Sequence, residues 1–81
     1  MYTKEYIELV VRDALSIISN SNEIDGDKNL VDKSLNIFPA DFLYFFSIIE
    51  TNLNVSAFKI LEKYSYKVMT INNLVDAIFA L

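Results

Sequence analysis

The chain has 81 residues, 53% of them hydrophobic, and a formal net charge of -4 at pH 7. This length and apolar content fit one domain, residues 1–81, with a single core, and the absence of cysteine and histidine excludes disulfides and thiolate or imidazole metal sites. The acidic balance provides no basic stripe for nucleic acid, and no stretch has the roughly 18 apolar residues of a membrane span, so we expect a cytoplasmic protein with neither partner.

An amphipathic helix is predicted over residues 3–19. Apolar residues recur there at i, i+3, i+4, i+7, i+8 and i+11, which places them on one stripe of a helix. These residues are Ile7, Val10, Val11, Ala14, Leu15 and Ile18. Glu8 and Arg12 are four residues apart on the other side and are expected to form a surface ion pair.

The connection over residues 20–38 is too long for a plain loop in so small a domain. It turns at Asp25-Gly26-Asp27 and contains scattered apolar residues, which are Ile24, Leu30, Val31, Leu35, Ile37 and Phe38. We predict that these residues anchor the connection across the core, with one helical turn around residues 31–36. Its aspartates are too few and too irregularly spaced for a calcium loop, so no metal site is expected.

Three more helices are predicted after this connection. Pro39 suits the first turn of a helix that runs to about Val55, with Phe42, Phe45, Phe46, Ile49 and Leu53 on one face. A short helix is predicted over Lys59 to Lys67, and it includes Leu61 and Tyr64. Thr70 is a suitable N-cap for a last helix, whose inward residues are Ile71, Leu74, Val75 and Ile78.

Residues 38–43, at the start of the predicted second helix, read Phe-Pro-Ala-Asp-Phe-Leu. The sequence here resembles the Leu-Gly-x-Asp-Ser-Leu element of acyl carrier proteins, with Asp41 and Leu43 in matching positions. Ile60, Thr70-Ile71 and the segment 73–78 are similar to the downstream pattern of that family, and Ile24 to Val31 resembles its loop. The resemblance implies an all-α, acyl-carrier-like four-helix bundle, with three longer helices, one short helix and a long loop between helices 1 and 2.

In the carriers, the serine of this element receives a phosphopantetheine arm. Here Phe42 occupies that position and has no hydroxyl, so the resemblance implies that the attachment site is lost and that no cofactor is bound. The helical stripe leads us to predict that the Phe42 ring turns inward and fills the space where a carrier shelters its acyl chain.

Ser34, in Asp32-Lys33-Ser34-Leu35, offers a displaced attachment site. Under this alternative the chain is a genuine acyl or peptidyl carrier that bears phosphopantetheine. Pro39 would then lie five residues into the following helix, at a cost of about 3 kcal/mol.

Carrier-related proteins that lack the serine occur beside peptide-modifying enzymes, and this chain is similar to them. The resemblance implies a non-acylated interaction module that binds a partner protein or enzyme of a biosynthetic or peptide-maturation system and is monomeric when isolated. The predicted partner-binding residues lie at the start and on the outward side of the second helix; they are Asp41, Leu43, Tyr44, Ser47 and Ile48. In one alternative the long loop covers Leu43 and Tyr44, and in another the chain is a structural subunit of a larger partner.

Catalysis is not expected. The acid–base groups available are Asp, Glu, Lys and Tyr, and no helical spacing directs two carboxylates into a common pocket. Glu5 and Glu8 share one face of the first helix, where we expect a solvated surface.

Overall fold

The chain folds as an assembly of helices. A computed structural model describes residues 2–19, 23–63 and 69–81, and these residues contain no strand. Four α-helices occupy Lys4–Ser19 (α1), Pro39–Leu53 (α2), Ala57–Lys63 (α3) and Ile71–Phe79 (α4), and a short 3-10 helix occupies Lys33–Leu35. The all-α prediction and the order of its four helices are confirmed. No helix in the described ranges is long and apolar enough to cross a bilayer.

A single core lies between the helices. The helix α1 packs against both α2 and α4, and α3 contacts α2 and α4. Tyr2 and Ile7 lie beside Leu53 and Val55, so α1 and α2 are antiparallel. Every inward residue predicted for α1 is buried except Ile18, which is partly buried, and all four predicted for α4 are buried. The described residues include no buried polar side chain.

The ends of α2 follow from local chemistry. Pro39 is its first residue, and the Asp41 carboxylate accepts a hydrogen bond from the Phe38 backbone N–H at 3.0 Å. Asn54 has a φ of 53°, in the left-handed region that Asn tolerates, and its N–H donates to the Glu50 carbonyl. The helix therefore ends at Leu53, slightly before the predicted Val55.

The short helix α3 begins earlier than predicted, at Ala57 rather than Lys59. Ala57 and Ile60 are both buried, so the first turn of this helix packs into the core. Its predicted continuation to Lys67, which includes Tyr64, lies outside the described residues.

The long connection is fastened to α1 and to the start of α4. Arg12 forms the predicted ion pair with Glu8 at 3.0 Å, and its Nη1 also donates to the Ile24 carbonyl at 2.7 Å. The backbone N–H of Asn72 donates to the Gly26 carbonyl at 3.0 Å, and that of Leu30 donates to the Met69 carbonyl at 2.8 Å. These bonds hold the connection across the bundle.

The apolar anchors of the connection are confirmed in part. Ile24 and Leu30 are buried, and Leu35 and Ile37 pack partly against the core, with the predicted helical turn at Lys33–Leu35. The prediction was wrong for Val31 and Phe38, which are 49% and 64% exposed. The backbone directs these two side chains toward solvent. The presence of an apolar residue in the connection does not by itself show which way its side chain points.

Gly26→Ala is expected to lower the free energy of unfolding by at most about 1 kcal/mol, the typical value of one hydrogen bond, because the bond that it disturbs is exposed. A methyl group on Gly26 would lie 2.7 Å from the side-chain N and O of Asn72, so this amide must move and give up its hydrogen bond to Asp27. Denaturant melts of Gly26→Ala, Asn72→Ala and the double variant measure the effect. In the Asn72→Ala background the added methyl meets no amide, and its cost should fall close to zero; an unchanged cost there would contradict this explanation.

Candidate functional site

The start of α2 holds the residue predicted to replace the attachment serine. The Phe42 ring is partly buried, packs against the core and meets the Phe45 ring edge-on, with 6.3 Å between centroids. Phe45 in turn meets Phe46 at 5.1 Å, also edge-on. Such edge-to-face contacts are favourable for aromatic rings. Phe42 is thus directed toward the core as predicted, while part of its ring stays exposed; that the ring fills the space between the helices stays a prediction.

The exposed part of Phe42 lines an apolar cleft of about 410 Å³. The lining residues come from the connection, α2, α3 and the segment before α4, and they are Val31, Ile37, Pro39, Phe42, Leu43, Phe46, Leu61 and Met69. The volume is in the range of small-molecule sites, which also contain a few convergent polar groups that orient the ligand. None of these described lining residues has a polar side chain, so the surface of the cleft is mostly apolar and its polar part comes from groups other than these side chains.

The outward side of α2 exposes two large apolar residues. Leu43 is 76% exposed and Tyr44 is 57% exposed, so the long connection does not cover them. Of the other predicted partner-binding residues, Ser47 is exposed, while Asp41 and Ile48 are partly buried. These residues therefore lie along α2 as a mixed surface in which Leu43 and Tyr44 are the exposed large apolar side chains.

Charge contributes little to this surface. The helix α2 has two carboxylates, Asp41 and Glu50, and no lysine or arginine. The Asp41 carboxylate already accepts a hydrogen bond at the helix N-terminus, where the helix dipole also favours a negative charge. A partner that approaches Leu43 and Tyr44 therefore meets apolar atoms first.

Ser34, the alternative attachment residue, lies exposed in the 3-10 helix. Its backbone N–H donates to Asp32 Oδ1 at 2.8 Å. Hydrogen bonds from the Ser34 backbone and hydroxyl, together with the nearby Lys28 ammonium, hold the pKa of Asp32 below its ordinary value. Asn36 ends this short helix in a left-handed conformation, with a φ of 56°. The hydroxyl is accessible, but it does not lie at the start of a long helix, where the carriers have theirs.

A second groove, between α1 and α2, was missed by the sequence analysis. It has a volume of about 260 Å³ and is lined by Tyr6, Leu9, Val10, Asp13, Ala14, Ile17, Ile48 and Asn52. The signal was present in the sequence, because Tyr6, Leu9 and Ile17 recur at helical spacing on α1. We assigned the apolar stripe of α1 to the core alone, and these residues fall outside that stripe.

Apart from Asp13, the charged groups of α1 lie away from this groove. Glu5 and Glu8 line a depression between α1 and α4, where Lys4 pairs with Asp76 at 3.1 Å. Within the described ranges, no group of three or more carboxylates is placed to hold a metal ion.

Comparison of the chain with protein-family models, curated proteins and solved structures found no match.

Proposed function

We propose that the chain is an acyl-carrier-like module that bears no acyl group and binds a partner protein of a biosynthetic or peptide-maturation assembly. The observation that carries this proposal is the pair of exposed apolar residues on α2, Leu43 and Tyr44, directly after Phe42. In the proposed role the module has no catalytic residue and needs no cofactor.

The position of Pro39 supports the register on which the proposal depends. Pro39 is the first residue of α2, where proline is favoured because its missing N–H would have no helical partner. Counting from Pro39, Phe42 occupies the place of the carrier serine, and its ring packs against Phe45. A phenyl ring cannot form a phosphodiester, so a module with this register works without a phosphopantetheine arm.

The exposure of Leu43 and Tyr44 supports binding of a protein. Large apolar groups exposed side by side on a rigid helix are typical of interaction sites, and tyrosine is enriched in them because it offers both apolar area and a hydroxyl. The helix that carries these residues is fixed by buried Phe45, Ile49 and Leu53 on its opposite face. Little ordering is then needed when a partner docks, which lowers the cost of binding.

The expected result of treatment with a promiscuous phosphopantetheinyl transferase and coenzyme A is no change in the intact mass of the protein. Phe42 offers no nucleophile, and Ser34 lies in a short 3-10 helix rather than at the start of α2. Mass spectrometry of the intact protein measures this, with a known carrier protein treated in parallel as the positive control.

Ser34→Ala is the matched variant for this experiment. An increase by the mass of one phosphopantetheine arm that Ser34→Ala abolishes would establish the alternative, a genuine carrier, and would overturn the proposed function. Ser34 is exposed, so a transferase could reach its hydroxyl under this alternative.

A further inference from the structure

The α1 rim of the groove between α1 and α2 exposes three large apolar side chains to solvent. Tyr6, Leu9 and Ile17 on α1 are 42%, 56% and 54% exposed. Val10 and Ala14 form the buried floor. From Tyr6 to Ile17 the rim extends roughly 16 Å, at 1.5 Å per residue, which is the length of about three helical turns.

This groove is continuous with the surface that carries the proposed function. Ile48 and Asn52 form the α2 side of the groove, and Tyr44 lies one turn before Ile48 on the same helix. A partner that covers Tyr44 therefore reaches the rim of α1 without leaving the apolar surface. What we infer about the occupant of this groove therefore rests on the proposed function.

The charge in the groove favours a basic partner over a second copy of the chain. Asp13 is the one charged residue among those that line it. The two cations of α1 are engaged elsewhere, Lys4 with Asp76 and Arg12 with Glu8 and the Ile24 carbonyl, and α2 has none. A second copy of the chain would bring two uncompensated Asp13 carboxylates to the same apolar contact, whereas a lysine or arginine would neutralise the one present.

We infer that the α1–α2 groove binds an amphipathic helix of the partner protein, about three turns long, with its apolar stripe against Leu9, Ile17 and Ile48 and a lysine or arginine beside Asp13. This is helix-in-groove recognition, in which apolar side chains one turn apart anchor the helix. The apolar contacts supply most of the affinity, and the Asp13 pair, at the surface, orients the helix.

Two synthetic peptides of 16 residues test the charge preference. Both are amphipathic helices with the same leucine stripe, and they differ in having lysine or glutamate at the positions that flank it. Fluorescence anisotropy should show binding of the lysine peptide, with the glutamate peptide bound about fivefold more weakly or worse. Asp13→Lys should reverse this preference, because a lysine at that position attracts the glutamate peptide instead. Glu5→Lys, the same change on the α4 side of α1, should leave it in place.

Variants of the rim test the position. Ile17→Asp and Leu9→Asp should each raise the Kd for the lysine peptide about tenfold or more, as expected for interface anchors. Val31→Asp, which changes an equally exposed apolar residue of the other cleft, should not. All three residues are about half exposed, so we expect each variant to fold. Circular dichroism checks this.

Three results would overturn the inference: no binding of either peptide, equal binding of both, or an Ile17→Asp variant that binds normally. A dimer of the chain alone that Ile17→Asp dissociates would assign the groove to a second copy and would overturn it too. All of these results leave the proposed function intact, because that function is tested by the mass experiment and by the α2 variants. A phosphopantetheine adduct would overturn the proposed function whatever the peptides do.

Discussion

Phe45→Ala is expected to lower the free energy of unfolding by about 3–5 kcal/mol, the cost of removing a fully buried phenyl ring and leaving a cavity. Phe45 is 0% exposed and lies between Phe42 and Phe46, each of which it meets edge-on. Its loss removes both ring contacts as well as the apolar burial. Urea denaturation followed by circular dichroism measures the change.

Phe42→Ala should cost less, about 1–2 kcal/mol, because part of the ring already contacts water and less burial is lost. Leu43→Ala is the matched control one residue further along; at 76% exposure it should lie within about 0.5 kcal/mol of the natural chain. A Phe42→Ala variant as unstable as Phe45→Ala would show that the Phe42 ring fills the core. A neutral Phe42→Ala would assign the ring to the binding surface instead.

The starts of α2 and α4, which depend on local chemistry, were predictable from the sequence, whereas the left-handed Asn54 that ends α2 at Leu53 was not. The Thr70 side chain accepts the Asn73 backbone N–H at 3.1 Å, which is the N-cap geometry that its hydroxyl and position indicated. The apolar stripe of α1 likewise predicted which residues are buried, since a helix that packs on one side must bury one stripe. These features need no knowledge of the rest of the chain.

Features that depend on the neighbouring element were harder to predict. Val31 and Leu30 are adjacent and both apolar, yet Leu30 is fully buried while Val31 is half exposed, because the Leu30 N–H is bound to Met69 and fixes which side chain faces inward. That contact joins residues far apart in sequence. The exposed rim of α1 shows a spacing that the sequence displays, but only the placement of α2 shows that Ile17 and Leu9 border a groove.

The exposure of the α2 residues was predicted with more success, and their role as a binding site stays a prediction. Projection of the helix placed Leu43 and Tyr44 outward, and they are exposed. The sequence left open whether the connection covers them. Arg12, Asn72 and Met69 hold the connection against α1 and α4. Its residues Val31 and Ile37 share a cleft with Leu43 but leave that side chain exposed.

Leu43→Asp and Tyr44→Ala are expected to weaken binding of the partner by about 1 kcal/mol or more each, and by about 2–4 kcal/mol together. Leu43→Asp places a charge in an apolar contact, and Tyr44→Ala removes an aromatic anchor. Both side chains are exposed in the free protein, so neither change should affect folding. Titration against the partner that co-purifies with the chain measures the loss, and Glu5→Ala, an exposed residue on the α4 side of α1, is the control.

The same titration at two salt concentrations separates apolar from electrostatic docking. An acidic carrier docks through charge, and salt weakens such binding because the screening length falls to about 8 Å at 0.15 M. Here α2 has only two carboxylates, and one of them, Asp41, already caps the helix. A single ion pair with Asp13 at the rim is worth less than about 1 kcal/mol. Binding should therefore change little between low and physiological salt. A steep salt dependence combined with normal binding by Leu43→Asp and Tyr44→Ala would instead place docking on Asp41, Glu50 and the acidic residues of the connection, and Leu43 and Tyr44 would then have no part in it.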